Sequence, residues 1–120
     1  SKKFLFLKTT MFKLHLNRII LIGQVTEKPQ LRYVPSGIPL CSFSIEVMRE
    51  KPNSTFAEEE YDVFPIIAWK DQALYCNQSI EKGNWVYCEG SLQIRTFGET
   101  GAQKKTTVEV VLKDIFRLQQ

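Results

Sequence analysis

The sequence predicts an all-β domain, a small closed barrel of five strands with one helix between strands three and four. Three observations predict this fold. Five segments are rich in β-branched or aromatic side chains, and several alternate between apolar and polar residues as half-buried strands do. One segment has the spacing of an amphipathic helix, and it follows the third strand. Strands and helices do not alternate along the chain, which argues against a parallel α/β sheet.

Length and composition indicate one folded domain. The chain has 120 residues, of which 43% are hydrophobic and 24% are charged, as in an ordinary globular domain. Residues 1–57 contain nine Lys and Arg against three Asp and Glu, whereas residues 58–81 contain one against six. That distribution is compatible with a basic groove beside an acidic patch, and also with an ordinary surface. No apolar run approaches the roughly 20 residues of a membrane span, so no membrane partner is predicted.

The first two predicted strands lie on either side of a turn-rich stretch. Residues 18–25 are rich in β-branched side chains, and Gly23 among them indicates a bend or a bulge. Residues 30–34 are bounded on both sides by turn signals. Residues 40–48 alternate, and the face predicted to point into the core carries Cys41, Phe43, Ile45 and Val47.

The third strand leads directly into the helix. Residues 60–69 carry apolar groups on both faces, so this strand is expected to be covered on both sides, and Pro65 indicates a bulge or a sheet edge. The helix is predicted over residues 71–82, with Asp71 capping its start and Gly83 its end. Its core-facing stripe is expected to consist of Ala73, Cys76, Asn77 and Ile80.

The last two strands form a long predicted hairpin over residues 85–97 and 106–116. The inward side chains of the first are expected to be Val86, Cys88, Gly90, Leu92 and Ile94, and those of the second Val108, Val110 and Leu112. Thr107, Glu109, Val111 and Lys113 are expected to point outward. The opposite face of residues 85–97 carries Trp, Tyr, Arg and Phe side chains. Such a set on one strand face indicates a bound partner.

The chain lacks the residue patterns of an enzyme or a metal protein. It has three cysteines, an odd number without zinc-site spacing, and they are expected to be buried thiols in a reducing compartment. His15 is the only histidine, and no glycine-rich phosphate loop precedes a helix. We therefore predict no catalytic residues, no metal and no cofactor.

Residues 1–16 differ in composition from the rest of the chain. They contain four lysines, no acid and a short apolar segment, without the long apolar core and cleavage site of a signal peptide. We expect an N-terminal arm here, followed by one binding domain over residues 17–120. The arm is interpreted as a dispensable or loosely ordered extension, a basic arm that holds phosphate, or an added edge strand.

Two ordered blocks of residues lie on either side of the predicted helix. The first is Asn17-Arg18-Ile19-Ile20-Leu21-Ile22-Gly23, then Pro29, Leu31-Arg32-Tyr33 and Pro35-Ser36-Gly37; the second is Lys82-Gly83 and Val86-Tyr87-Cys88-Glu89-Gly90-Ser91-Leu92. Together they resemble the bacterial single-stranded-DNA-binding protein superfamily. Residues 35–46 and 65–73 are similar to primosomal replication protein N of that superfamily. The resemblance covers about residues 17–118, and one of the departures from it is Lys70, which stands where the family often has glycine.

The resemblance implies an OB-fold, the five-stranded Greek-key barrel, and a non-catalytic role. It implies largely sequence-independent binding of single-stranded DNA in replication, recombination or replication restart. It further implies a homodimer or homotetramer, replication or primosome proteins as partners, and a bacterial cytoplasm or nucleoid or an organelle interior as the compartment. Two alternatives stay open at this point: a protein-binding assembly adaptor with weak nucleic-acid binding, and an RNA-binding OB-fold.

Binding an unpaired strand requires flat rings that stack on bases and cations that neutralise phosphates. The candidate rings are Tyr61, Trp69, Trp85, Tyr87 and Phe97, and the candidate cations are Arg32, Lys51, Arg95, Lys104 and Lys105. The rings have alternative interpretations, because Tyr61 and Trp69 could pack in the core, and Trp85 and Tyr87 could contact a second subunit. For the lysines the alternative is a solvated loop. The acidic residues 58–60 argue against DNA lying across the base of the hairpin between the predicted second and third strands.

Overall fold

The computed structural model describes residues 13–50, 59–98 and 104–119. The elements in chain order are β1 (Ile19–Val25), β2 (Gln30–Tyr33), β3 (Pro39–Met48), β4 (Tyr61–Trp69), α1 (Lys70–Ser79), β5 (Trp85–Phe97) and β6 (Lys105–Leu118). The strands pair in the order β1-β5-β6-β4-β3-β2, and β1 also pairs with β3. This second pairing closes β1, β3, β4, β6 and β5 into a barrel, which confirms the predicted five-stranded fold with one helix. The prediction omitted β2, a four-residue strand that forms a hairpin with β3.

Strand β1 bends to pair with two neighbours. Its residues from Ile19 to Gln24 pair with β5, while Gln24 and Val25 pair with β3. A Cβ atom built on Gly23 would lie 2.5 Å from the backbone oxygen of Glu46. Only glycine allows this approach, so the predicted bend at Gly23 lies where the barrel closes.

The outer half of the β5–β6 hairpin extends beyond the barrel. Strand β5 pairs with β1 only as far as Gly90, and a register shift in its pairing with β6 lies between Glu89 and Gly90. Beyond this point β5 pairs with β6 alone and no longer with β1. The prediction that Leu92, Ile94 and Val108 point into the core is therefore wrong, because all three are exposed.

Helix α1 is shorter than predicted and begins differently. Trp69 is the N-cap residue and makes no side-chain capping bond, and the helix ends at Ser79 rather than at residue 82. The predicted cap at Asp71 is wrong, because Asp71 lies inside the first turn. The predicted C-cap at Gly83 is also wrong. Gly83 has φ 88° in the turn before β5, where its N–H donates to the carbonyl of Val25.

The helix ends early because Ile80 leaves the helical conformation while its side chain stays in the core. Its φ and ψ are −102° and 133°, and the side chain is fully buried. The barrel core is otherwise made of β-strand residues from every wall, namely Val25, Cys41, Phe43, Ile45, Ile66, Ala68, Val86, Cys88, Val110 and Leu112, together with Ala73 and Cys76 of α1.

The three thiols are buried, as the sequence indicates. Cys41, Cys76 and Cys88 are free and lie in this core. Burial raises the pKa of Cys76 and of Cys88 to about 12, and it raises the pKa of Cys41 as well. These thiols are therefore protonated at neutral pH, and burial together with protonation makes them poor nucleophiles.

Candidate nucleic-acid interface

An open groove crosses the outer face of the barrel from β2 to β6. It consists of two adjoining clefts of about 230 and 450 Å³, and both are lined by Arg32, Ile67, Arg95 and Glu109. We call this groove the β2–β6 groove. Cross-strand pairing explains why residues distant in sequence meet here. Arg32 pairs with Leu40, and Leu40 pairs with Trp69, so their Cα atoms form one row across three strands.

Two of the predicted cations converge on the groove. Arg32 lies on β2 and is exposed, while Arg95 approaches from β5. The Arg95 Nη1 atom lies 3.5 Å from Glu109 Oε2, and half of the Arg95 side chain stays accessible to solvent. The two guanidinium groups therefore flank the groove from opposite strands, where each can reach a phosphate or a base edge.

Trp69 supplies a flat ring at one end of the groove. It lies at the junction of β4 and α1, is 40% exposed and lines the larger cleft. This exposure fits the stacking interpretation rather than core burial. Tyr33 lines the same cleft and is 61% exposed. Tyr33 belongs to the first family-like block of the sequence but was not among the predicted rings. The turn signal Pro35-Ser36-Gly37 just after it places Tyr33 at the end of a short strand.

Tyr61 lies at the other end of β4, outside the groove. Alternation along the strand places it on the same face as Pro65, Ile67 and Trp69. The Tyr61 hydroxyl donates to Glu59 Oε2 at 2.6 Å, and this bond to a carboxylate raises the pKa of Tyr61. Its ring is exposed and available, but the surrounding charge is negative.

A cation beside Tyr61 is already neutralised. The Arg49 guanidinium donates to both Asp62 carboxylate oxygens at 2.8 to 3.0 Å, and it also lies 3.5 Å from Glu60 Oε2. The hydrogen bond from Arg49 holds the pKa of Asp62 below its usual value. Arg49 is thus paired with acids, and the expectation that DNA avoids the base of the β3–β4 hairpin stays a prediction.

Three predicted residues lie near the outer end of the β5–β6 hairpin. Phe97 is the last residue of β5 and pairs with Lys105 of β6, and Lys104 precedes that strand. All three side chains are exposed. Arg95 lies two residues before Phe97 on the same strand face, so the hairpin can continue the groove. Lys51, the remaining predicted cation, lies outside the described residues.

Trp85 and Tyr87 belong to a different surface. Cross-strand rows join Ile22, Tyr87 and Phe116, and likewise Gln24, Trp85 and Leu118. We call this surface the β1–β5–β6 face; Ile20 lies on it as well. The rings of Tyr87 and Phe116 have centroids 5.8 Å apart, and both Trp85 and Tyr87 are half-buried. The structure therefore separates these two aromatic residues from the β2–β6 groove.

The arrangement defines a binding module of the OB-fold class. The groove is open, crosses several strands, and combines rings with guanidinium groups, as required for an extended polymer rather than a small substrate. In the described ranges, no group of three or more His, Cys, Asp or Glu side chains could hold a metal ion. Those ranges also contain no helix long and apolar enough to cross a bilayer.

The chain belongs to the single-strand binding protein family, whose model matches residues 16–118. The single-stranded DNA-binding protein of Caldanaerobacter subterraneus is 33% identical over 100 residues, covering 83% of this chain and 66% of the relative. Single-stranded DNA-binding protein 1 of Staphylococcus aureus is 37% identical over 100 residues, covering 83% of this chain and 64% of the relative. The chain thus spans just under two thirds of these relatives' length.

A solved structure has the same fold. The Plasmodium falciparum SSB in complex with single-stranded DNA is similar to this chain with a TM-score of 0.79 and 25% identity. The match covers 91% of this chain and 100% of the other. The predicted superfamily is confirmed by these findings. The closer similarity to primosomal replication protein N stays a prediction.

Proposed function

We propose that this protein binds single-stranded DNA without catalysis, through the β2–β6 groove. The observation that carries the proposal is the convergence of Trp69, Arg32 and Arg95 from three different strands on one open cleft. Family membership supports it, and the reported relatives are named as DNA-binding proteins. Those names favour a binding role over an enzymatic one.

The chemistry of the groove suits unpaired nucleotides. The exposed rings of Trp69 and Tyr33 can stack on bases, and each stacked base is worth about 1–3 kcal/mol in such proteins. Arg32 can pair with a phosphate, which releases counterions and makes the affinity fall with salt. Phe97, Lys104 and Lys105 would extend the contact along the hairpin. Because every base has a π-face, this mode of binding does not depend on a defined sequence.

Titration of labelled oligo-dT by fluorescence anisotropy at several salt concentrations tests the proposal. We expect micromolar or tighter binding and a steep linear decrease of log K with log salt. A hairpin duplex of the same length should bind more weakly, because its bases are not free to stack. Absence of binding at low salt would contradict the proposal and favour the assembly-adaptor alternative. A matched RNA oligomer as competitor tests the RNA alternative in the same assay.

We further propose that the protein self-associates through the β1–β5–β6 face. Ile20, Ile22 and Phe116 are each about half exposed there, which forms an apolar strip. Among the described strands, residues 19–23 of β1 pair with β5 on one side and with no strand on the other. A second copy could extend the sheet at this edge and cover the strip. Sedimentation equilibrium should then show a dimer or tetramer, and a monomer at tens of micromolar would contradict this.

Replication or primosome proteins as further partners, and a bacterial or organelle compartment, stay predictions. The reported relatives include bacterial proteins and one from Plasmodium falciparum. Affinity capture with the purified protein on immobilised single-stranded DNA, compared with the protein alone, tests whether partners bind the complex.

A further inference from the structure

Glu109 is an acid in the floor of a groove that otherwise suits a polyanion. It is 8% exposed and is the one buried charged residue among those that the structure describes. It lines both clefts of the groove. A carboxylate at this place repels phosphates and is costly to bury, so its presence in the groove requires a physical explanation.

Its position brings it to Arg95. Glu109 pairs across the hairpin with Gln93, and Arg95 lies two residues further along β5 on the same face. Arg95 Nη1 and Glu109 Oε2 lie 3.5 Å apart. The two charges largely cancel, so Arg95 is a weaker phosphate neutraliser than an unpaired arginine would be. The pair instead presents hydrogen-bond donors and an acceptor side by side.

Space is available in front of this pair. Ser42, Ser44 and Pro65 line the smaller cleft beside Glu109, and their side chains are short. Trp69 lines the larger cleft together with Arg95 and Glu109. A base stacked on Trp69 can therefore direct its hydrogen-bonding edge toward the Arg95–Glu109 pair.

We propose that Glu109 with Arg95 favours cytosine and adenine over thymine at this position. Cytosine and adenine each present an amino N–H beside a ring-nitrogen acceptor, whereas thymine presents carbonyl oxygens on either side of one N–H. Glu109 accepts from the amino group, and Arg95 donates to the neighbouring acceptor. With thymine, the carboxylate faces a carbonyl oxygen instead. This inference rests on the proposed function and adds a specificity-determining residue to it.

The test compares dissociation constants for oligo-dC and oligo-dT of equal length, at one salt concentration and pH 8. Glu109→Gln should shift the ratio toward oligo-dT by about fivefold, because a neutral amide accepts more weakly and can donate to thymine. Glu89→Gln is the matched control. Glu89 is also an acid paired with an arginine, Arg18 at 3.1 Å, but it lies on the β1–β5–β6 face, away from the groove. The ratio of the oligo-dC and oligo-dT dissociation constants for Glu89→Gln should equal that of the wild type.

A second measurement uses the wild-type protein alone, so it does not depend on the folding of a variant. Oligomers of N4,N4-dimethylcytosine, which have no amino donor, should bind about fivefold more weakly than oligo-dC. Oligomers of 5-methylcytosine keep the donor and should bind like oligo-dC. Suppose that oligo-dC and oligo-dT both bind, that Glu109→Gln leaves the ratio of their dissociation constants unchanged, and that the dimethylated oligomer binds as well as oligo-dC. The inference is then wrong and the proposed function stands. If neither oligomer binds, the proposed function itself fails.

Discussion

The β2–β6 groove and the β1–β5–β6 face share strands β5 and β6, yet they differ in chemistry. The groove combines Trp69 with Arg32 and the Arg95–Glu109 pair. The other face combines Trp85 and Tyr87 with isoleucines and Phe116, and its rings contact each other. Aromatic residues alone therefore do not identify a DNA-binding surface. In the proposed function, the exposed Arg32 beside the rings and the open space in front of them assign DNA binding to the groove and self-association to the other face.

The largest expected effect concerns the exposed rings. Changing Tyr33, Trp69 and Phe97 together to Ala should weaken oligo-dT binding at least tenfold, because each lost stacking contact costs about 1–3 kcal/mol. Changing Trp85 to Ala should leave the intrinsic affinity of a protomer within about twofold. Anisotropy titrations at one salt concentration measure both. An equal loss for Trp85→Ala would remove the distinction between the two surfaces.

The converse substitution acts on the β1–β5–β6 face. Ile22 is 52% exposed, so Ile22→Glu should fold normally but place a charge in the apolar strip. We expect self-association to weaken at least tenfold by sedimentation equilibrium. Leu74→Glu, at an exposed apolar position of α1, is the control and should have no effect. Dissociation caused by Leu74→Glu, or an unchanged assembly for Ile22→Glu, would place the interface elsewhere.

The buried thiols make the stability of the barrel depend on pH, and they lie on neither of the two surfaces. The folded pKa of Cys88 is about 12 against an ordinary value of 9.0, so above pH 9 the unfolded chain has lost protons that the folded chain keeps. The free energy of unfolding is therefore unaffected below pH 9 and falls as the pH rises from 9 toward 12. Between pH 8 and pH 10, the free energy of unfolding of Cys88→Ala should fall by about 1 kcal/mol less than that of the wild type. Urea denaturation at both pH values measures this, and equal losses would contradict it.

The smallest expected effect concerns two single arginines, Arg32 in the groove and Arg18 on the other face. Arg32→Gln should reduce the salt slope of log K by about one, as expected for one lost phosphate contact. Arg18→Gln, which removes the partner of Glu89 on the other face, should leave the slope unchanged. Equal slopes for Arg32→Gln and the wild type would show that Arg32 does not contact phosphate.

Alternation along the sequence predicted the barrel because each strand turns its apolar side chains toward the core. The β3 core residues Cys41, Phe43 and Ile45 are buried as the alternation indicates. The same rule was wrong for Leu92 and Ile94, because alternation does not show where β5 leaves the barrel. The helix start could not be predicted either: Lys70 has φ 57°, a left-handed conformation that a glycine would adopt more easily. The family resemblance had drawn attention to this position.

The candidate site was predicted in part, for a related reason. Residue types identified rings and cations, but only strand pairing shows that Trp69 and Arg95 share a cleft while Trp85 and Tyr87 lie on another surface. Glu109 was expected to point outward and was not among the candidate site residues. Its burial and its contact with Arg95 depend on the register between β5 and β6, which a single sequence does not reveal.

The two tryptophans lie on different surfaces, so fluorescence can test the central claim directly. Trp85→Phe leaves Trp69 in the groove, and Trp69→Phe leaves Trp85 on the β1–β5–β6 face. Saturating oligo-dT should quench the emission of the Trp85→Phe variant strongly, because a base stacks on Trp69, and should scarcely change that of Trp69→Phe. Quenching confined to Trp69→Phe would contradict the account, since the DNA would then lie on the other surface.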